Sequence, residues 1–306
     1  MYQESEQEQI KSQWVRQILM SNDSKIVAIK YQEQWLLYNL IEKKSKILLF
    51  QRSGPGMFSP DSLYFIAVGV NFSEQQETVL QMKLMPHFEN PVQLLTLENQ
   101  VKCLDINEQS NKLLLNLMNG SFVIWDINTK QKVLQLNQST RFDFTQFCNN
   151  RIIGTQPHCI SYFDQTRLKQ IKKTFVSGRL SEYQKYSHYC DVKQITSCLI
   201  LFRQSRGMEK FCYRIINNSN GKMIRIFRDC QRFENLNINV SPDHKRFARL
   251  SKIQNTQIEL LEIDSGKSYN FINCLDTKQP ICFSCDWTII IQSTKHGYAK
   301  VYRKIE

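Results

Sequence analysis

The chain has 306 residues, with 40 Lys+Arg against 28 Asp+Glu and a formal net charge of +12. Its 42% hydrophobic and 11% aromatic content is enough to bury a core, which excludes wholesale disorder. Only 10 glycines and 7 prolines occur, which excludes collagen-like and Pro/Gly-rich linker classes, and no apolar run approaches the ~20 residues needed to cross a bilayer.

The chain opens with MYQESEQEQIK, polar and acidic, opposite in character to the basic start and apolar middle of a signal peptide. Ten cysteines without such a signal read as reduced, mostly buried thiols. A soluble intracellular protein, cytoplasmic or nuclear, is the expectation.

Short apolar segments follow in a regular order. The clearest group is residues 99–136, which divides into VKCLDI (101–106), KLLLNL (112–117), SFVIWD (121–126) and KVLQL (132–136). Asn119-Gly120 supplies residues that tolerate positive φ in a tight hairpin turn. Four strands of five or six residues make one antiparallel sheet of ordinary size, and one such sheet cannot bury both its faces, so copies must stack. With Trp125 as reference on the third strand, the matching positions are Tyr38, Met82, Phe163, Tyr213, Leu261 and Tyr302, at a mean spacing of 44. Asp126 follows Trp125 directly.

This arithmetic predicts an all-β, seven-bladed β-propeller of four-stranded antiparallel blades filling residues 1–306 as one domain; six or eight blades, or a two-sheet sandwich of hairpins, are the alternatives. The segment 176–194 reads as an enlarged loop or a distorted first strand of the fifth blade. If the first blade starts near Trp14, the seventh retains three strands, at about 281–285, 288–293 and 298–304. Its outer strand must then come from residues 1–11, although a Glu/Gln-rich segment is a poor strand former.

GSFVIWDINTKQKVLQL, with Trp125-Asp126 and a hairpin glycine at 120, resembles the WD40-repeat family. LLEIDSGK (260–267) keeps the turn that follows the Trp-Asp pair, while FSPDS (58–62) and VSPDHKR (240–246) resemble the family's Ser-Pro-Asp turn between first and second strands. The Gly-His dipeptide is absent from the repeat starts, so the family's His–Ser–Trp–Asp tetrad is expected to fail in most blades. The resemblance implies a divergent WD40-like propeller acting as a protein-interaction scaffold.

No catalytic or metal pattern competes with this reading. His87, His158, His188, His244 and His296 are scattered, and Cys282 and Cys285 form a C-x-x-C without a second pair, short of the four ligands a structural zinc needs. Phosphate-loop and nucleophile-elbow motifs are missing. No enzymatic activity and no cofactor are predicted.

Charge distribution is the informative feature. Residues 1–153 hold 15 basic and 15 acidic side chains, whereas residues 154–252 hold 19 basic and 7 acidic. On a propeller, Arg203, Arg206 and Lys210 would lie in the second-to-third-strand turn of blade five. Arg228 and Arg232 would lie in the crossover to blade six, Arg249 and Lys252 in the matching turn of that blade, and Arg179, Lys185 and Lys193 in the crossover from blade four. Together they predict a basic rim for an acidic protein segment, since such a surplus creates an attracting field. RNA is the alternative partner, with Phe202, Phe211 and Phe233 interleaved among the charges as stacking would need.

Overall fold

The computed structural model describes residues 2–9, 15–72, 76–84, 87–137, 142–148, 151–156, 159–175, 190–194, 199–205, 210–217, 222–231, 239–241, 243–250, 257–273, 280–294 and 298–304. All regular structure among them is β. β1 (Tyr2–Gln9) lies apart in sequence from the sheet it joins. The first sheet is β2 (Gln17–Met20), β3 (Ile26–Lys30), β4 (Gln34–Asn39) and β5 (Lys44–Leu49). The second is β6 (Arg52–Phe58), β7 (Tyr64–Val70), β8 (Glu77–Lys83) and β9 (Val92–Leu97). The third comprises β10 (Val101–Ile106), β11 (Lys112–Leu117), β12 (Phe122–Asp126) and β13 (Gln131–Leu136). The fourth comprises β14 (Phe144–Cys148), β15 (Arg151–Gln156), β16 (Cys159–Asp164) and β17 (Gln170–Phe175). β18 (Cys190–Gln194), β19 (Leu199–Ser205), β20 (Lys210–Asn217) and β21 (Met223–Gln231) make the fifth. β22 (Asn239–Val240), β23 (Arg246–Leu250), β24 (Gln257–Glu262) and β25 (Ser268–Asn273) make the sixth. β26 (Ile281–Phe283), β27 (Ile289–Ser293) and β28 (Tyr298–Lys304) pair in order, and β1 adds to β28.

Burial across each sheet explains the strand chemistry. β7 (YFIAVGV) is buried over nearly its whole length, as a central strand covered on both faces must be. In β4 (QWLLYN) Trp35, Leu37 and Asn39 alternate with half-buried residues, whereas in the outer β5 (KSKILL) only Leu48 is fully buried. Polarity rises from the middle strands outward.

The chain forms two compact units, residues 1–98 with 233–306, and residues 99–232. In the first, Trp35 packs edge-on against Phe65 with centroids 5.1 Å apart, joining the first and second sheets. A Cβ at Gly56 would lie 2.7 Å from the Trp35 ring, so a residue without a side chain is required there. Tyr31, Ile18 and Ile29 pack with Cys282, Ile289 and Val301, joining the first and seventh sheets, and Ile258 and Leu260 pack with Phe283 and Tyr302, joining the sixth and seventh. In the second unit, Phe122, Phe142 and Phe163 form a three-ring contact between the third and fourth sheets. Ile216 packs on Ile153, Ile160 and Tyr162, joining the fourth and fifth.

Gly154 shows how tightly the second unit is filled. A Cβ there would lie 2.7 Å from the Phe142 ring, which is already wedged against two other phenylalanines. Gly154→Ala is therefore expected to lower stability by about 1–3 kcal/mol through overpacking. A reduced urea midpoint with an unchanged m-value checks it; an unchanged midpoint contradicts it.

The register places the repeat positions directly. Tyr38, Met82, Trp125, Phe163, Leu261 and Tyr302 pair with Val27, Phe65, Leu113, Ile152, Phe247 and Ile290, each the second residue of its second strand. Tyr213 does not fit this set. It pairs with Arg203, the fifth residue of β19, and the equivalent of Trp125 in the fifth sheet is Ile216, paired with Ile200. Ile216 packs on the preceding sheet, as Met82, Phe163 and Tyr302 do. Both Tyr213 and Ile216 are buried, so an aromatic in an apolar run was an ambiguous marker, and a displacement of three residues turns a side chain to the opposite sheet face.

β1 runs antiparallel to β28 from Tyr2↔Lys304 to Gln9↔Tyr298, with a bulge between Glu4 and Glu6. An outer strand needs only one pairing partner, and a charged sequence there discourages further edge-to-edge pairing.

Candidate functional site

The turns that frame the sheet ends are built by a repeated polar device. In the first-to-second-strand turns, Ser21, Ser59, Ser241 and Ser284 each donate a hydroxyl to Asp23, Asp61, Asp243 and Asp286, at 2.5–2.6 Å. The same hydroxyls accept the N–H of Ile26, Tyr64, Arg246 and Ile289. The fourth residue of each turn has positive φ: Ser24, Ser62, His244 and Trp287, between 56° and 61°. Asn107 takes the serine's place in the third sheet, accepting the Lys112 N–H at 2.7 Å, with Ser110 at φ 56°. Sequence reasoning found the copies at 58–62 and 240–246. It missed Ser21-Asn22-Asp23 and Ser284-Cys285-Asp286, which a search for Ser-x-Asp without proline would have found.

A second device closes the third-to-fourth-strand turns. Asn39, Asp126 and Asp164 accept from the N–H groups two and three residues on, with a positive-φ residue at Lys43, Lys130 and Leu168. Asp126 thus serves as a turn cap, while the Trp125 indole N–H is buried and has no hydrogen-bond partner among the described residues.

These caps carry a pH dependence. The Ser241 hydroxyl, then the Lys245 N–H, hold Asp243 below the usual carboxylate range, and Asp164 is held down by the Thr166 hydroxyl, then the Thr166 and Arg167 N–H groups. For Asp286, burial pushes upward but is outweighed by hydrogen bonds from Ser284 and Thr288. Each depressed group contributes stability above its unfolded value near ~3.9 and loses it as pH falls through the lower folded value. The melting temperature is expected to fall between about pH 5 and about pH 2, and Asp243→Asn is expected to make that fall shallower. An unchanged acid limb in that variant contradicts the assignment.

At the other end of the first two sheets lies a cluster of charge. Lys30 ends β3 and its ammonium sits 5.8 Å from the centroid of the Trp35 ring. Burial, then the neighbouring Arg16 charge, push Lys30 down to about 8, against the pull of Glu77. Glu77 opens β8 and is 7% exposed; burial pushes its carboxyl above the usual range, while Arg52 and Lys30 oppose this. Its Oε2 has no hydrogen-bond partner among the described residues. Ser53 Oγ donates to the Tyr31 carbonyl at 2.5 Å and Ser53 N–H to the Gln32 carbonyl at 2.8 Å, tying β6 to the β3–β4 turn.

The predicted basic rim is placed only in part. Arg179, Lys185, Arg206, Arg232 and Lys252 lie outside the described residues. For Lys193, Arg203, Lys210, Arg228 and Arg249 the backbone is defined and lies in β18, β19, β20, β21 and β23. Lys193, Arg203, Lys210, Arg228 and Arg249 were expected in turns and crossovers. They sit in strands because β19, β20 and β21 run to seven, eight and nine residues and keep pairing beyond the length assumed, while β18 already pairs with β19 at Lys193 and β23 with β24 at Arg249. Arg228 falls where the β20–β21 register shifts, between Phe211↔Cys230 and Tyr213↔Phe227.

Cys282 is buried, with burial and then Cys285 pushing its thiol up to about 12, so it is no thiolate; Cys285 is exposed and donates to Asn22 Oδ1 at 3.2 Å. No group of three or more metal-ligating side chains occurs among the described residues. A pocket of about 300 Å³ lies between the first and second sheets, lined by Asn39, Glu42, Lys44, Lys46, His87 and Phe88 among others. No helix of the described residues is long and apolar enough to cross a membrane.

No protein-family model matches the chain, and no curated protein matches its sequence. Its backbone is nonetheless similar to a chain in the crystal structure of a mitotic checkpoint complex, with a TM-score of 0.72 at 11% identity over 99% of this chain and 92% of that one. The fold is an all-β propeller. Its blades are the four-stranded antiparallel sheets described above, and the Ser-x-Asp turns are the most regular trace of the repeat left in this chain.

Proposed function

We propose that this chain is a non-enzymatic interaction scaffold: a seven-bladed propeller in which β1 completes the last blade, presenting its blade ends to protein partners. The observation that carries the reading is the whole-length likeness to a chain solved within a multiprotein complex. Rigid blades support it physically, because pre-ordered loops lower the ordering cost of binding. Within this reading the surplus of 19 basic over 7 acidic side chains in residues 154–252 favours an acidic protein segment.

Affinity purification with crosslinking tests it. The wild-type chain is expected to retain defined partners with acidic segments, and the triple variant Arg203→Glu, Arg206→Glu, Arg228→Glu is expected to lose them. An unchanged set of partners would overturn the basic rim, and recovery of RNA with steep salt dependence in place of protein would replace it with a nucleic-acid role.

A further inference from the structure

We infer that Arg16, Lys30 and Arg52 form a carboxylate-binding subsite at the end of the first two sheets, fitted to an acidic side chain of a partner peptide. The inference rests on the scaffold reading and specifies a contact that the basic rim does not include.

Three cations come together here from the approach to β2, the end of β3 and the start of β6: the Arg16 N–H donates to the Lys30 carbonyl at 2.8 Å, and Ser53, next to Arg52, donates to the carbonyl of Tyr31, next to Lys30. Arg52 and Glu77 both pair with Val70 of β7, and the charges of Lys30 and Arg52 act on the buried Glu77 carboxylate. Arg16 and Arg52 are exposed and Lys30 is half-buried. Glu77 is almost wholly buried and makes no ion pair within 4.0 Å among the described residues, so it offsets the group only from a distance. Glu33, three residues after Lys30, is exposed on the β3–β4 turn. Lys30 bears the cost of the arrangement. Burial and repulsion from Arg16 destabilise its charged form, and a carboxylate entering from solvent would offset both.

Two observations favour a peptide over a nucleic acid. Glu77 is itself a carboxylate acting on Lys30 and Arg52, so the site already accommodates that chemistry. A nucleic-acid strand uses exposed aromatic faces on which to stack, and the Trp35 ring beside the site is 0% exposed.

The test uses the full chain and a fluorescein-labelled peptide of alternating Glu and Ser, read by anisotropy at low salt. Arg16→Gln and Arg52→Gln are each expected to weaken binding about three- to ten-fold, while Lys267→Gln leaves it unchanged. In the unmodified chain, competitive acetylation of Lys30 against pH is expected to titrate near about 8 and to move upward when peptide is bound. This second readout requires no substitution and is not moved by a purely structural role. Absence of Lys30 protection overturns the subsite, and the scaffold reading then stands if Arg203→Glu with Arg228→Glu abolishes peptide binding. Loss in the Arg16 and Arg52 variants alone supports the subsite and overturns the basic rim. No binding of the acidic peptide overturns both, and protection of Lys30 by an RNA oligonucleotide but not by peptide overturns the carboxylate assignment.

Discussion

Phe122→Ala is expected to destabilise the chain by about 3–5 kcal/mol. Phe122 is 0% exposed on β12, and its ring lies 5.2 Å from Phe142 and 5.5 Å from Phe163, which themselves stand 5.6 Å apart. Two of these three contacts are close to perpendicular, at 88° and 86°, the edge-to-face geometry that aromatic quadrupoles favour. The substitution removes a large apolar surface, leaves a cavity and strands two rings that depend on the third. The surroundings cannot collapse readily, because Phe142 is held from the other side by the backbone at Gly154. Phe122→Leu keeps most of the volume and is expected to cost about 1–1.5 kcal/mol. Urea unfolding of both variants checks the pair; a loss below about 1 kcal/mol for the alanine variant would contradict the three-ring packing.

Asp105→Ala tests the polar stitching of the same two sheets. The Asp105 carboxylate is 5% exposed and accepts the Phe147 N–H at 2.6 Å, from β10 to β14. Nearby, the Lys102 ammonium donates to the Phe142 carbonyl and to Asp143, both at 2.9 Å, and the Asn116 amide also reaches the Phe142 carbonyl at 3.3 Å. Removing the carboxylate leaves a buried N–H with no acceptor, at a cost of about 2–3 kcal/mol, whereas Asp105→Asn keeps an acceptor oxygen and is expected to lose roughly half of that. Equal losses in the two variants would show that the hydrogen bond to Phe147 contributes little.

The fold was legible in the sequence wherever local chemistry and burial agree. The group at 99–136 reads correctly because its turn residues, its apolar pieces and its Trp125-Asp126 pair coincide, and four strands appear there within a residue or two of the expected bounds. The fifth sheet was legible in strand number and not in register. KFCYRIIN is apolar or aromatic at positions on both faces, so nothing local tells Tyr213 from Ile216. The turns were legible where proline marked them, at 58–62 and 240–246, and not at Ser21 and Ser284, where the same hydrogen bonds form around Asn22 and Cys285.

The charge cluster was not legible at all. Arg16, Lys30, Arg52 and Glu77 are isolated single charges along the chain, separated by up to 61 positions, in a half whose net charge is zero. Only the adjacency of the first and second sheets brings them together, and Glu77 among them is buried where a lone glutamate in a sequence reads as surface. Counting charge by segment found residues 154–252 and passed over these.

Hydrogen–deuterium exchange of residues 2–9 alongside 298–304 tests the central claim most directly, that the first strand completes the last blade. The amides of β1 and β28 are expected to exchange slowly and together, and removal of residues 1–9 is expected to release the protection of 298–304. Exchange of residues 2–9 at the free-chain rate, with 298–304 still protected, would contradict it.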